Sequence, residues 1–401
     1  MTLVPGITVR SATEEDAAGV RLLVETSFGT RSDEAWLERS ARLFPPRDVI
    51  VAVDGDRVVG HVRSREMILT VPGERTVSAC GIAGVGVAPT HRRRGILRAM
   101  YTEQHRRTEA QGLPLSIFTA SEGGIYGRFG YGPAVRLNAV EIDRRFAEFL
   151  PSTPDPGGVE LVMLADVTEK VREIYDRWRR PTPGAQVRPD ASWGNLFADP
   201  ERFRGGGSDL FTMLHPDGYA LYRYYREGGE MVVDVVEMRT ATTDAHAALW
   251  RALFGLDLVT RIKAELSDND PLPYLLRNPR LVRTTARYDN LWLRVMNVPG
   301  ALTAREYQAD LDIVLGVTDP FRAAGGTFAL TVRDGHAECA PTDRAADIEL
   351  GIDVLGSMYL GAYPARAFAA ANRLQVKDSG KLRTLEEAFG ADRDAVLGWF
   401  F

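Results

Sequence analysis

Hydrophobic and polar positions along this chain follow two periods, and the order in which they alternate repeats. Residues 7–10 alternate like a short strand, and Thr13 is followed three residues later by Asp16, the spacing of a capping box. Val20, Leu23, Val24 and Phe28 then recur at helical intervals, and a second helix is expected over residues 33–43. Residues 49–53 and 58–62 flank Asp54-Gly55-Asp56 and read as a β-hairpin. Residues 75–87 form a further strand, followed by a basic turn from His91 to Gly95. A helix is expected from that turn to about Gln111; Gly112-Leu113-Pro114 ends it, and 115–119 is an apolar strand. A strand, turn, helix and strand in succession imply a parallel pair with a crossover helix.

Residues 152–158 (STPDPGG) are rich in Pro and Gly and mark a linker. Beyond it the series returns: strand 160–163, helix 167–178, hairpin strands 210–214 and 219–225, strand 231–238, helix 244–254 and strand 261–266. The turn before this second crossover helix, Arg239-Thr240-Ala241-Thr242-Thr243-Asp244, has neither a glycine nor an arginine cluster. The repetition implies a duplicated α/β unit in which only the first copy kept a site. From about Tyr288 the pattern changes. Residues 291–296, 311–315, 327–332 and 346–351 alternate like strands of an antiparallel sheet, and 365–373 and 382–389 are helical. Three domains are therefore expected, at 1–150, 151–287 and 288–401.

Composition narrows the function. The 401 residues are 45% hydrophobic and 26% charged, which fits soluble globular protein and excludes a disordered chain. Only four of the 49 basic residues are lysines. Such an arginine excess serves phosphate recognition or reflects a GC-rich genome, and with a net charge of −5 the second accounts for most of it. Cys80 and Cys339 are far apart, and there is no CxxC or HExxH, so neither a disulfide framework nor a metal is expected. The N-terminal segment lacks the apolar core of a secretory signal, and the longest apolar run is too short to span a membrane. The expectation is a cytoplasmic protein with no membrane partner. One short basic turn in an acidic chain is no groove-length patch, so nucleic acid is not expected either.

The stretch from Val85 to Arg98 (VGVAPTHRRRGILR) carries the chemistry. A strand ending in Val85-Gly86-Val87 meets a tight turn with Arg92, Arg93 and Arg94, and a helix starts at Gly95-Ile96-Leu97-Arg98. The first amides of a helix lack internal partners and carry the positive end of its dipole. Glycine lets the backbone approach an anion, and the arginine forks match phosphate oxygens. The combination suits a pyrophosphate, yet neither GxxxxGK[ST] nor GxGxxG is present.

This stretch resembles motif A of the GCN5-related N-acetyltransferases, which binds the pyrophosphate of acetyl-CoA. Leu97 departs from the small residue of that motif and is expected to crowd the helix start. The segment Thr119 to Gly132 (TASEGGIYGRFGYG) is similar to a signature of the enhanced intracellular survival (Eis-type) acetyltransferases. That family has about 400 residues, two acetyltransferase-like mixed-sheet domains and a sterol-carrier-like α+β domain. The resemblance implies an acetyl-CoA site in 1–150, a degenerate copy in 151–287 and the sterol-carrier-like part in 288–401. It also implies a homohexamer and acceptors that are small-molecule amines, aminoglycosides at several positions or lysine side chains.

Acetyl transfer needs a neutral amine, a donor for the tetrahedral oxyanion and a proton for the departing thiolate. The strand before the basic turn, Thr76 to Val85, holds no carboxylate and no histidine, so the usual base of the superfamily is missing. The family resemblance assigns the base to the α-carboxylate of Phe401 and the acid to Tyr126. It also implies cofactor contacts at Ser121 and Glu122. Trp36 is a candidate for the acceptor pocket. His91 and His105 are weaker candidates for the base. A lipid carrier and an acetyl-CoA sensor, each with a vestigial transferase site, are the competing readings.

Overall fold

The computed structural model describes residues 6–401 except 30, 32, 323 and 324; the side chains of residues 35, 36 and 39 also lie outside the description. The chain forms two compact units. One comprises the residues up to Val135 with Asn290–Asp392 and Trp399–Phe401; the other comprises Arg136–Asp289 and Arg393–Gly398.

The first unit opens with β1 (Ile7–Ser11), α1 (Ala17–Phe28) and α2 (Glu34–Leu43). The Thr13 capping box forms, with the Thr13 amide donating to Asp16 Oδ2 at 2.7 Å. The antiparallel strands β2 (Val49–Asp54), β3 (Arg57–Val71) and β4 (Arg75–Val87) follow. Next come α3 (Ile96–Ala110), β5 (Leu115–Thr119), the single turn α4 (Gly123–Tyr126) and β6 (Gly132–Pro133). β4 and β5 are parallel with α3 as the crossover, as the pattern predicts. One face of the sheet buries Ile50, Val62, Cys80, Ile82 and Phe118 against Ile96, Met100 and Tyr101 of α3. These apolar side chains are the driving force for the layer, at roughly 25 cal/mol per Å² of apolar surface removed from water.

In the second unit, β7 (Arg136–Asp143) precedes β8 (Glu160–Val162), α5 (Thr168–Arg179) and α6 (Asp190–Ala198). Then follow β9 (Phe211–His215), β10 (Gly218–Glu227), β11 (Glu230–Thr240), α7 (Thr243–Phe254), β12 (Val259–Leu266), the single turn α8 (Leu272–Leu275) and β13 (Arg283–Asp289). The parallel pair β11–β12 with α7 between them repeats β4–α3–β5. The helix start differs, however. Thr242 caps α7 by accepting from the Ala245 amide at 3.2 Å, whereas Gly95 gives α3 no side-chain cap. Where the first copy has an arginine turn, Arg239 here donates to the carbonyls of Leu397 and Gly398 at 3.2 and 3.0 Å. Gly398 fits only without a side chain, since a Cβ there would stand 2.3 Å from the Tyr175 hydroxyl and 2.8 Å from the Gln186 amide.

The remaining chain returns to the first unit. β14 (Leu291–Val295) does not join the strands after it, as its alternation implied. It pairs antiparallel with β5 and with β6, completing the order β1-β2-β3-β4-β5-β14-β6. An alternating run states which face is buried and not which strand is its neighbour. After α9 (Val298–Thr303), the strands β15 (Leu311–Thr318), β16 (Gly326–Arg333), β17 (His336–Pro341), β18 (Ile348–Gly351) and β19 (Leu374–Val376) make a five-stranded sheet. It is mixed, with β15 and β18 parallel. A parallel pair needs a long connection, and β16 and β17 supply it. Helices α11 (Ala365–Ala370) and α12 (Ser379–Ala388) pack on this sheet, whereas α10 (Ile352–Met358) packs chiefly against β14 and β6.

Candidate active site

The parallel ladder between β4 and β5 is short. It joins Ala79–Gly81 to Leu115–Ile117 and no further, although β4 runs on to Val87. A bulge accounts for this. His61 pairs with Gly86 and Arg63 with Ala83, so Gly84 and Val85 together oppose the single residue Val62. Gly84 takes φ +54°, the left-handed conformation that glycine adopts without penalty. A bulge of this kind bends its strand. Val85, Gly86 and Val87 have no ladder partner on the β5 side among the described residues.

The basic turn follows directly. Pro89–His91 is one turn of 3₁₀ helix, and Arg93 and Gly95 both take positive φ, +64° and +79°. Within 4 Å of a Cβ built on Gly95 there is nothing, so the helix start is open for an anion. Arg92, Arg93 and Arg94 are exposed and enter no ion pair among the described residues. Leu97 does not crowd the turn: it packs against the α3-facing core, together with Val85 and Val87. Ile96 is buried in that core, and the Arg98 guanidinium lies 5.0 Å over the Phe321 ring. His91 braces the turn through Asp54 Oδ2 at 3.1 Å and the Thr90 hydroxyl at 2.8 Å. These residues fit a pyrophosphate by charge, by open amides and by the absence of a competing cap. Replacing Arg92 and Arg94 together with Gln is expected to raise the KM for acetyl-CoA at least about tenfold, less so at high salt. An unchanged KM in steady-state kinetics would remove the turn from cofactor binding.

Beyond β5 the chain forms the loop with Ser121 and Glu122, both exposed, and then α4, with Glu122 at its N-cap position. Tyr126 ends α4 and is half-buried, its ring 4.3 Å from Phe118 and 6.5 Å from Trp292. Burial pushes its pKa above the ordinary value of 10, and Glu122 adds to this. Tyr126 thus stays protonated, ready to donate, throughout the neutral range. Phe401 meets the end of the same strand: the Thr119 hydroxyl donates to its main-chain oxygen at 3.2 Å. Its ring lies against β4, where a Cβ on Gly81 would stand 3.3 Å from Phe401 Cε2. Trp399 is buried and packs on Phe401 at 5.6 Å between ring centroids, while Phe400 is exposed.

His105 is fully buried, with Nε2 3.0 Å from the Tyr131 hydroxyl, and desolvation holds its pKa well below 6.5. Tyr131 in turn contacts the Ser116 hydroxyl at 2.8 Å. Neither His105 nor His91 is free to serve an acceptor. The side chain of Trp36 lies outside the described residues.

Thr119, Trp292 and Arg294 support the site without having been singled out from the sequence. Arg294 is fully buried; it donates to the Phe129 carbonyl at 2.8 Å and pairs with Asp319 at 2.6 Å. It also explains one glycine of the signature. Gly130 has φ +81°, and a Cβ there would stand 1.7 Å from Arg294 Nη1. Thr119 carried a signal, being the polar end of an apolar strand; Trp292 and Arg294 lie more than 160 residues from Tyr126 and carried none.

Comparison with known proteins agrees with this geometry. Acetyltransferase (GNAT) domain models match residues 8–134 and 184–295, and a sterol carrier protein domain model matches 298–398. Fold and site together define a GCN5-related N-acetyltransferase: two acetyltransferase domains followed by a sterol-carrier-like α+β part, with acetyl-CoA as cosubstrate. N-acetyltransferase Eis of Mycobacterium tuberculosis (strain CDC 1551 / Oshkosh) is 48% identical over 402 residues, covering 96% of this chain and 97% of its own. The crystal structure of Eis1 from Mycobacterium abscessus superposes with a TM-score of 0.87 at 28% identity, over 98% of this chain and all of that one. A GCN5-related N-acetyltransferase from Anabaena variabilis, at 22% identity and a TM-score of 0.85, shares the fold. This chain belongs to the Eis family of N-acetyltransferases. Among the described residues no helix is long and apolar enough to cross a membrane.

Proposed function

We propose that this enzyme transfers the acetyl group of acetyl-CoA to a primary amine, with Tyr126 as general acid and the terminal carboxylate of Phe401 as general base. The observation that carries this reading is the junction at the end of β5: the Thr119 hydroxyl bonds to the Phe401 main-chain oxygen, and the loop that follows carries Tyr126. A lysine-like amine is neutral in only about one molecule in 10³ at pH 7, so a base contributes directly to rate. A free α-carboxyl, with a pKa of about 3.5, is a weak base. The Thr119 hydroxyl donates to the Phe401 main-chain oxygen and orients it at the end of β5. The Phe401 carboxylate takes the proton from the amine, the amine nitrogen bonds to the thioester carbon as the C–S bond breaks, and the Tyr126 proton passes to the departing thiolate.

The acceptor classes that kinship supports are aminoglycoside amines and lysine side chains, and the same reading includes Ser121 and Glu122 as cofactor contacts, Trp36 in the acceptor pocket, and a cytoplasmic homohexamer. Tyr126→Phe is expected to lower kcat about 10²-fold while leaving the Kd for acetyl-CoA within about twofold. Because its pKa is raised, the wild-type enzyme should not lose this acid before about pH 10. Equal turnover by the phenylalanine variant would exclude Tyr126 as the acid.

A further inference from the structure

The chain runs to its end without regular secondary structure after α12. Residues Arg393–Gly398 belong to the second unit, and Trp399–Phe401 belong to the first. Chain ends fray unless they are tied down, and a base on the last residue works only if it is held in place. The second unit supplies the ties. The Asn269 amide and side chain donate to the Asp394 carboxylate, each at 2.7 Å. The Val396 amide donates to the Pro183 carbonyl at 2.8 Å, and the Gly398 amide donates to Gln186 Oε1 at 3.1 Å. Arg239 donates to the Leu397 and Gly398 carbonyls, and Arg188 donates to the Gly398 carbonyl at 3.1 Å. Ala395, Leu397 and Gly398 are buried.

The groups that receive the tail are themselves fixed. Glu237 and Arg239 stand near the end of β11, the strand that corresponds to β4 of the first copy. Arg188 is buried, pairs with Glu237 at 2.5 Å, and lies over the Tyr175 and Trp193 rings at 4.6 and 4.4 Å. The Tyr219 hydroxyl donates to Glu237 Oε1 at 2.5 Å. The Arg239 guanidinium is 3.8 Å from Glu237 and 4.3 Å over the Trp178 ring. Burial alone would raise the Glu237 carboxyl, but the charges of Arg188 and Arg239 outweigh it and hold it below its ordinary value. Two guanidiniums set by one buried carboxylate thus converge on the Gly398 carbonyl, and charged donors make the stronger hydrogen bonds. Gly398 completes the fit, since a Cβ there would stand 2.3 Å from the Tyr175 hydroxyl and 2.9 Å from Gln186 Oε1. A greasy plug needs only burial. Donors on successive main-chain groups fix the path of the backbone as well.

We infer that Arg188, Arg239 and Gln186 are positioning residues for acetyl transfer: the second copy, which lacks the arginine turn, holds the tail at Gly398 and so sets the reach and direction of the Phe401 carboxylate. This rests on the reading of Phe401 as the base and extends it. It also assigns a task to the degenerate domain. Three residues reach about 10 Å at full extension, so a displacement at Gly398 passes to the chain end with little slack.

The test reads kcat from coenzyme A release with saturating kanamycin or an Nα-protected lysine, whichever is faster. Gly398→Ala and Arg239→Gln are each expected to lower kcat about 10- to 100-fold, with the Kd for acetyl-CoA within about twofold. Arg239→Lys keeps a cationic donor for the same two carbonyls and should recover most of the loss. The same substitutions are then made in the enzyme extended by one residue after Phe401. With the base already lost, the tail has nothing left to position, and neither substitution should lower kcat further. Arg239 is partly exposed, so Arg239→Gln carries the comparison where Gly398→Ala does not fold. Wild-type kcat in the single variants, or the same fold loss in the extended enzyme as in the native one, would overturn the inference and leave Phe401 as the base. Normal kcat in the extended enzyme itself would overturn both.

Discussion

One residue added after Phe401 is expected to lower kcat by about 10²–10⁴, the usual contribution of a positioned general base. The reason lies in the geometry at the end of β5. The main-chain oxygen that Thr119 holds belongs to a carboxylate only while Phe401 is the last residue. An added residue turns that group into a neutral amide, which accepts hydrogen bonds but takes no proton at physiological pH. The ring contacts of Trp399 and Phe401 with each other and with β4 need not change, so the tail stays anchored and acetyl-CoA affinity should stay within about twofold. Anchoring and catalysis are separable in this way: Phe401→Ala removes the packing and keeps the charge, and the extension does the reverse. Comparing kcat for the two variants, each with an untagged C-terminus, distinguishes a base from a plug. An extended enzyme with normal kcat would leave Phe401 as packing alone.

Asp319→Ala is expected to cost about 3–5 kcal/mol of folding stability, the penalty for leaving one partner of a buried ion pair uncompensated. Both side chains of the Arg294–Asp319 pair are wholly inaccessible. Arg294 also fills the space over Gly130 and holds the Phe129 carbonyl, three residues past Tyr126. Phe321 extends the same contact: its ring lies 5.0 Å from Phe129 and 5.3 Å from His105. Loss of Asp319 therefore loosens the turn that carries the acid as well as the core beneath it. Denaturant unfolding followed by tryptophan fluorescence measures the change, and a midpoint equal to that of the wild type would show that the pair is not structural.

Local features of the site were legible in the sequence, and its long-range supports were not. The strand over 115–119, the crossover helix and the capping box at Thr13 follow from local periodicity and cap chemistry, and the structure has all three. The arginine turn announced itself because charge, glycine and helix start coincide within seven residues. The neighbour of β14 could not be read in this way, since Leu291–Val295 has the same alternation whichever sheet it joins. The parallel pair β15–β18 was hidden for the same reason. Helix α6 was missed because Asp190–Ala198 includes Gly194 and shows little apolar periodicity. The size of Leu97 suggests an obstruction, but its side chain packs against the core.

The proposed activity is amine-dependent acetyl transfer from acetyl-CoA at the junction of β4, β5, α4 and the chain end. Coenzyme A release by the enzyme with its native C-terminus, measured with and without kanamycin or an Nα-protected lysine, tests it most directly. Release is expected to depend on the amine and to fall about 10²-fold in Tyr126→Phe. Tight acetyl-CoA binding with no amine-dependent release from any acceptor would contradict it.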